Sequence, residues 1–279
     1  MKTIAMSGSS GFVGTYLKKY FHDKNYKVIT IKREELGQKE LLKETIAKVD
    51  VIINLSGANI IQRWSKKQKE KIYSSRIEST KALVDAINTN EKEQLFISTS
   101  AIGIYENDIA CDEDDCIYGQ TFLAKTCKDW EKEAFKVHKR VIIFRLGVVL
   151  GDGGALKKML LPFKLGLGGV IGDGKQPFSY IHIEDLARAY EYGINHNKLK
   201  GIFNLTTQNP ITNQLFTHVL AKKLHRPALL PVPNFVLKWV FGEGAQILGE
   251  GQCVYPKRLL ASGFVFKFKT IEPLLDDVV

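Results

Sequence analysis

A glycine loop lying between a strand and a helix constrains this chain more than any other feature. Thr3-Ile4-Ala5-Met6 reads as a short buried strand, and Gly8-Ser9-Ser10-Gly11-Phe12-Val13-Gly14 follows at once, spaced G-x-x-G-x-x-G. From Phe12 to about Lys24 the apolar residues recur at helical spacing. Strand, glycine turn and helix start, in that order, form a cradle for a pyrophosphate. Gly8 permits the tight turn, Gly11 lets the backbone approach the phosphates, and Gly14 lets helix and strand pack closely. Free N–H groups at the positive end of the helix then face the anion.

The first half of the chain repeats this alternation. Further strands are expected at 28–31, within VDVIINLSG (49–57), at 95–99 and within VIIFRLGVVL (141–150). A long amphipathic helix is expected at about 65–89, with Ile72, Ile77, Leu83, Val84 and Ile87 on its apolar side. Apolar strands without period-two alternation belong to a sheet covered on both faces. The fold class is therefore α/β, a Rossmann-type doubly wound parallel sheet with a smaller C-terminal substrate domain. Residues 1–150 with about 179–206 are assigned to the dinucleotide-binding domain, and 151–178 with 207–279 to the smaller one. The glycine-rich stretch after Gly151 reads as a lid-like excursion around one apolar helix. IHIEDLARAYEYGI (181–194) returns to a helix, and GIFNLT (201–206) is the last sheet strand.

The second strand should choose the cofactor. A carboxylate at its end would bind a ribose 2′-hydroxyl, whereas an arginine accommodates a 2′-phosphate. Here it ends Ile31-Lys32-Arg33, with Glu34 next. NADP is expected rather than NAD, with Arg33 on the 2′-phosphate.

Charge and cysteine usage narrow the partners. Forty Lys and Arg against thirty Asp and Glu leave a formal charge of +10. The basic residues are scattered, and the densest run, RWSKKQKEKIYSSR (63–76), has the helical spacing of a solvated face. No nucleic-acid partner is expected. No apolar run reaches the ~18 residues of a membrane span, and the N-terminus lacks signal-peptide character. Cys111, Cys116, Cys127 and Cys253 form no C-x-x-C pair, so neither a metal site nor a disulfide framework is expected. A cytoplasmic monomer or homodimer acting on a small molecule is the expectation.

Further strings carry a resemblance. Asn54-Leu55-Ser56-Gly57-Ala58 follows one strand and Ser98-Thr99-Ser100-Ala101 ends the next. Together with the glycine loop, these resemble the extended short-chain dehydrogenase/reductases, the NAD-dependent epimerase/dehydratase family. Arg63-Trp64, Ser75-Arg76-Ile77-Glu78-Ser79-Thr80, Trp130-Glu131, Gly172-Asp173-Gly174-Lys175-Gln176, Ser179 to Asp185, Arg226-Pro227 and Gly263-Phe264 are similar to one atypical branch. That branch carries a C-terminal domain of unknown function. The resemblance covers nearly the whole chain and implies NADP-dependent oxidoreductase or epimerase chemistry, by reversible hydride transfer on a nucleotide-sugar-like or small carbonyl or hydroxyl substrate. It also implies cofactor contacts at Leu55, Ser56, Gly57, Ala58, Ser98 and Thr99.

One departure bears on catalysis. The wider family uses Tyr-x-x-x-Lys, because a phenol with a pKa near 10 needs help to act as a base near neutral pH. The chain's one such spacing, Tyr20 to Lys24, falls on the first helix. In the expected region Tyr118 is followed four residues on by Phe122, with Lys125 seven away. Ser100 is the candidate that orients substrate, and Tyr105 and Lys125 are candidate acid/base groups. Arg145 and His182 are candidate substrate contacts, each with a structural role as its rival. The missing dyad leaves open a protein that binds NADP as a sensor without turnover.

Overall fold

The computed structural model describes residues 1–228 and 230–279. Six parallel strands form the central sheet: β1 (Thr3–Ser7), β2 (Lys27–Ile31), β3 (Val51–Asn54), β4 (Leu95–Ala101), β5 (Arg140–Leu146) and β6 (Gly201–Leu205). Their order across the sheet is β6-β5-β4-β3-β1-β2. The helices that position the site are α1 (Phe12–Asp23), α2 (Lys39–Ala47), α3 (Lys66–Asn88), α4 (Phe122–Ala134), α5 (Gly154–Lys164), α6 (Ile183–Asn195) and α7 (Asn213–Lys223).

Strand side chains alternate between two covered faces. Ile4, Met6, Ile53, Ile97 and Phe144 pack beneath α1 and α6, against Leu17, Phe21 and Leu186. Ala5, Ile52, Phe96 and Ile143 face the other way, onto Leu42 of α2 and Leu83 and Ile87 of α3. Both faces being buried explains why the strands read as unbroken apolar runs. From β1 the chain winds outward to β2, then returns across the sheet to β3. That reversal opens a crevice beyond the carboxyl ends of β1 and β3, where sheets of this kind bind ligands.

The structure departs from the expected elements in three places. The run 141–150 is two strands, β5 and Val148–Leu150, the second paired with Tyr180–His182 outside the sheet. Gly147 makes the break: a Cβ there would lie 2.7 Å from the Ser179 carbonyl oxygen. Helices α2 and α4 also form, in stretches outside the expected elements. Thr121 starts α4 by accepting a hydrogen bond from Ala124 N at 3.1 Å, and Ala124, Cys127, Trp130 and Ala134 then fall on one buried face. The long helix runs Lys66–Asn88 as expected, capped by Ser65.

A second hydrophobic core gathers Leu150, Leu156, Phe178, Phe216, Phe268 and Leu274. The C-terminal chain does not keep to it, since Leu259, Phe264 and Phe266 pack on the sheet's α1/α6 face. No helix of the described residues is long and apolar enough to cross a membrane.

Candidate functional site

The glycine turn is built as a close-packed loop with one open position. Gly8 has φ +70°, and a Cβ on it would lie 2.6 Å from the Leu55 carbonyl. At Gly14 a Cβ would sit 2.3 Å from the Gly8 oxygen, so this glycine closes the turn upon itself rather than spacing helix from strand. Gly11 differs: a Cβ there meets nothing nearer than 3.5 Å. Helix α1 begins with no side-chain cap and no acidic residue in its first turn. Its free N–H groups and positive dipole end are left for an external anion, and a pyrophosphate fits that cradle.

Buried polar side chains pin the loop after β3 against this turn. The Asn54 Oδ1 accepts from Ser7 Oγ at 2.9 Å and from Ser56 N at 3.1 Å. Its Nδ2 donates to Thr80 Oγ1 on α3 at 2.8 Å, and Trp130 Nε1 of α4 donates to the same oxygen at 2.8 Å. Four elements thereby share one satisfied network, which fixes the path of Leu55, Ser56 and Gly57.

These pieces border a cleft of about 460 Å³. Phe12 and Val13 line it from the glycine loop, Leu55, Ser56 and Gly57 from the loop after β3, and Thr99 and Ser100 from the end of β4. Helix α4 adds Thr126, Cys127 and Trp130, and residues 246–248 and 250–252 also line it. The ionisable groups on its wall, among the described residues, are Arg76, Cys127 and Glu250; no tyrosine, lysine or histidine lines it. Burial pushes the Cys127 thiol up to about 11.

The other expected site residues are dispersed. Arg145, on β5 beside Ser100, is buried, paired with Glu131, and donates to Tyr105 Oη at 2.7 Å and Tyr118 Oη at 3.3 Å. Tyr105 donates in turn to Asn204 Oδ1 at 2.7 Å, and burial raises its phenol pKa further. Neither Arg145 nor Tyr105 lines the cleft. Lys125 projects into solvent, while its helix neighbours Thr126 and Cys127 face the cleft. His182 caps α6, accepting from Glu184 N at 3.1 Å, and stacks on Phe268 at 3.7 Å. It too lies off the cleft.

The cofactor candidates are better gathered. Ser9 and Ser10 complete the turn beside Phe12 and Val13. Ser98 is buried just below the cleft, Thr99 hydrogen-bonds Tyr190 Oη at 2.8 Å, and Ala58 N donates to Ser75 Oγ at 2.9 Å. Arg33 stands exposed two residues beyond β2, outside the cleft's wall. Ser100 does line the cleft, and its hydroxyl donates to Glu131 Oε1 at 2.7 Å. Sequence reasoning missed Arg76, which sits in a basic stretch with the spacing of a solvated face yet turns its guanidinium inward. Its one signal was its place within the string Ser75 to Thr80.

Comparison with known proteins agrees with this fold. Residues 4–206 match the model of the NAD dependent epimerase/dehydratase family, and 232–278 match a domain of unknown function, DUF1731. Epimerase family protein YfhF of Bacillus subtilis is 35% identical over 295 residues, covering 99% of this chain and 97% of its own. Mouse epimerase family protein SDR39U1 is 35% identical over 290 residues, covering 99% of each. The crystal structure of human epimerase family protein SDR39U1 (isoform 2) with NADPH superposes with a TM-score of 0.89 at 31% identity, over 99% of this chain and 98% of that one. The resemblance read from the glycine loop and its companion strings holds across the whole length, and the chain belongs to the NAD-dependent epimerase/dehydratase family.

Proposed function

We propose that this protein binds NADP(H) in the cleft and uses it in reversible hydride transfer on a small carbonyl or hydroxyl compound. The observation that carries the reading is the uncapped, acid-free start of α1 beside an open Gly11. The human relative solved with NADPH supports the choice of cofactor. In this reading Gly8 to Gly14 hold the pyrophosphate, Leu55 to Ala58 border the adenosine side, and Arg33 takes the 2′-phosphate. When bound, the cofactor would supply or accept hydride.

Ser100 would orient the substrate. Its proton is committed to Glu131, so its oxygen is left to accept a hydrogen bond from a substrate hydroxyl. Residues 151–178 and 207–279 would form the substrate side, since Ile171, Gln176, Asn213 and Gln252 reach the same cleft. Four unpaired cysteines suit a reducing compartment such as the cytoplasm.

One observation favours a second reading. With no phenol, ammonium or imidazole on the cleft wall among the described residues, the protein would bind NADP as a sensor without turnover. Calorimetric titration with NADPH and NADH, followed by NADPH absorbance with a panel of sugar nucleotides, aldehydes and ketones, tests both. Consumption of NADPH with any of these supports the enzyme. Tight binding with no consumption throughout supports the sensor, and failure to bind either cofactor sinks both.

A further inference from the structure

Arg76 is a half-buried cation without an anion among the described residues. It is the one lysine or arginine on the cleft wall, and no carboxylate lies within ion-pair distance of it among the described residues. Elsewhere the protein pairs its buried guanidinium, as Arg145 with Glu131 shows. A desolvated charge left unpaired is unfavourable unless a ligand supplies the partner.

The guanidinium is also held still. Its Nη1 donates to the Ile72 carbonyl at 2.9 Å and its Nη2 to the Ala58 carbonyl at 3.2 Å. It lies 5.3 Å from the centre of the Trp130 ring, a cation–π contact. The absent side chain at Gly57 makes room for it, because a Cβ there would come within 2.9 Å of the Arg76 Cζ. Two of its five donors are occupied, and three remain in a rigid fork suited to an oxyanion.

Its position separates it from the pyrophosphate cradle. The cradle draws on the start of α1, whereas Arg76 stands on α3 against Trp130, on the wall that Cys127 and Ser100 share. Burial depresses the guanidinium's pKa, which an arriving anion would reverse.

We infer that Arg76 is the cleft's anion receptor and that the substrate carries a carboxylate or phosphate group, which Arg76 holds while the Ser100 oxygen accepts from the substrate's hydroxyl end. This rests on the cofactor reading above for the identity of the cleft, but the anion site can be tested with or without NADPH.

The test is calorimetric titration of inorganic phosphate and of malonate into the protein, alone and saturated with NADPH, for the unsubstituted chain, Arg76→Gln and Arg76→Lys. The expected result is binding of at least one anion, weakened about tenfold or more by Arg76→Gln and partly retained by Arg76→Lys, with NADPH affinity changed less than about threefold. Thermal unfolding confirms that each variant is folded, and Arg76→Lys carries the test if Arg76→Gln is not. Phosphate against malonate distinguishes the two anion sources. Equal anion affinity in the folded variants, or no anion binding by the unsubstituted chain, overturns the proposal. So does anion binding that competes with NADPH while Arg76→Gln loses NADPH affinity about tenfold, since the anion would then be the cofactor's own phosphate. Arg76-dependent anion binding without any NADPH binding would instead sustain this site and reject the cofactor reading.

Discussion

Glu131 and Arg145 form a two-pronged ion pair within the protein: Arg145 Nε donates to Oε1 at 2.8 Å and Nη2 to Oε2 at 2.6 Å, with side chains 7% and 1% exposed. The same Oε1 accepts from Ser100. The pair thereby joins the fold's interior to the cleft wall, because whatever moves Glu131 releases the Ser100 hydroxyl. Removing one member of such a pair leaves a buried charge uncompensated, typically a loss of ~3–5 kcal/mol. Glu131→Ala should therefore lower the unfolding free energy in denaturant by about that amount. A loss below ~1 kcal/mol would mean that Arg145 finds water or another partner.

The glycines of the loop should respond differently to the same substitution. Gly11→Val should leave the fold intact, as a Cβ there has room, while abolishing NADPH binding in a calorimetric titration. Gly14→Val should destabilise the protein itself, since its Cβ meets the Gly8 oxygen at 2.3 Å. Normal NADPH affinity in a folded Gly11→Val protein would remove the loop from the cofactor site.

Arg33 stands exposed past β2 and should discriminate between cofactors. A charge-assisted contact of ~1.5–3 kcal/mol corresponds to about 10–150-fold, so Arg33→Ala should weaken NADPH by that factor and NADH far less. Equal affinity of the unsubstituted protein for both cofactors would refute it.

Tyr118 stands where the family's phenol would be expected, but its hydroxyl accepts from Arg145 and its ring is off the cleft wall. General acid–base groups contribute typically ~10²–10⁴-fold, so Tyr118→Phe should leave NADPH turnover within about threefold. A hundredfold loss with unchanged cofactor affinity, on the scale of about 10² that such groups supply, would make Tyr118 the base after all.

His182 should make stability depend on pH. Burial holds its imidazole neutral below the ordinary histidine range, opposed by Asp277, Asp185 and Glu184. The unfolded chain therefore takes up this proton first as pH falls. Stability is full above about pH 6.5 and declines below it, toward the depressed folded pKa. His182→Asn, which keeps an acceptor for Glu184 N, should flatten the fall in Tm between about pH 7 and about pH 5. An unchanged slope would place the dependence on other groups.

Local chemistry is what the sequence by itself determined. The glycine loop needs only neighbouring residues to define its turn, and strand runs such as 49–57 betray a sheet covered on both faces by their apolarity alone. That was enough for the fold class, and the further strings around Ser56, Ser100 and Ser179 were enough for the family. Tertiary structure decided what depends on residues far apart in the chain. Arg145 looked like a substrate contact until Glu131 and Tyr105 closed around it. His182 looked like a cleft residue until Phe268, 86 positions later in the numbering, stacked on it. Arg76 had the spacing of a solvated face, yet Trp130 and Gly57, on other elements, turn it into the cleft. A charged side chain's role follows from whether its counter-charge is present or absent, and the partners that settle this are brought together only when the chain folds.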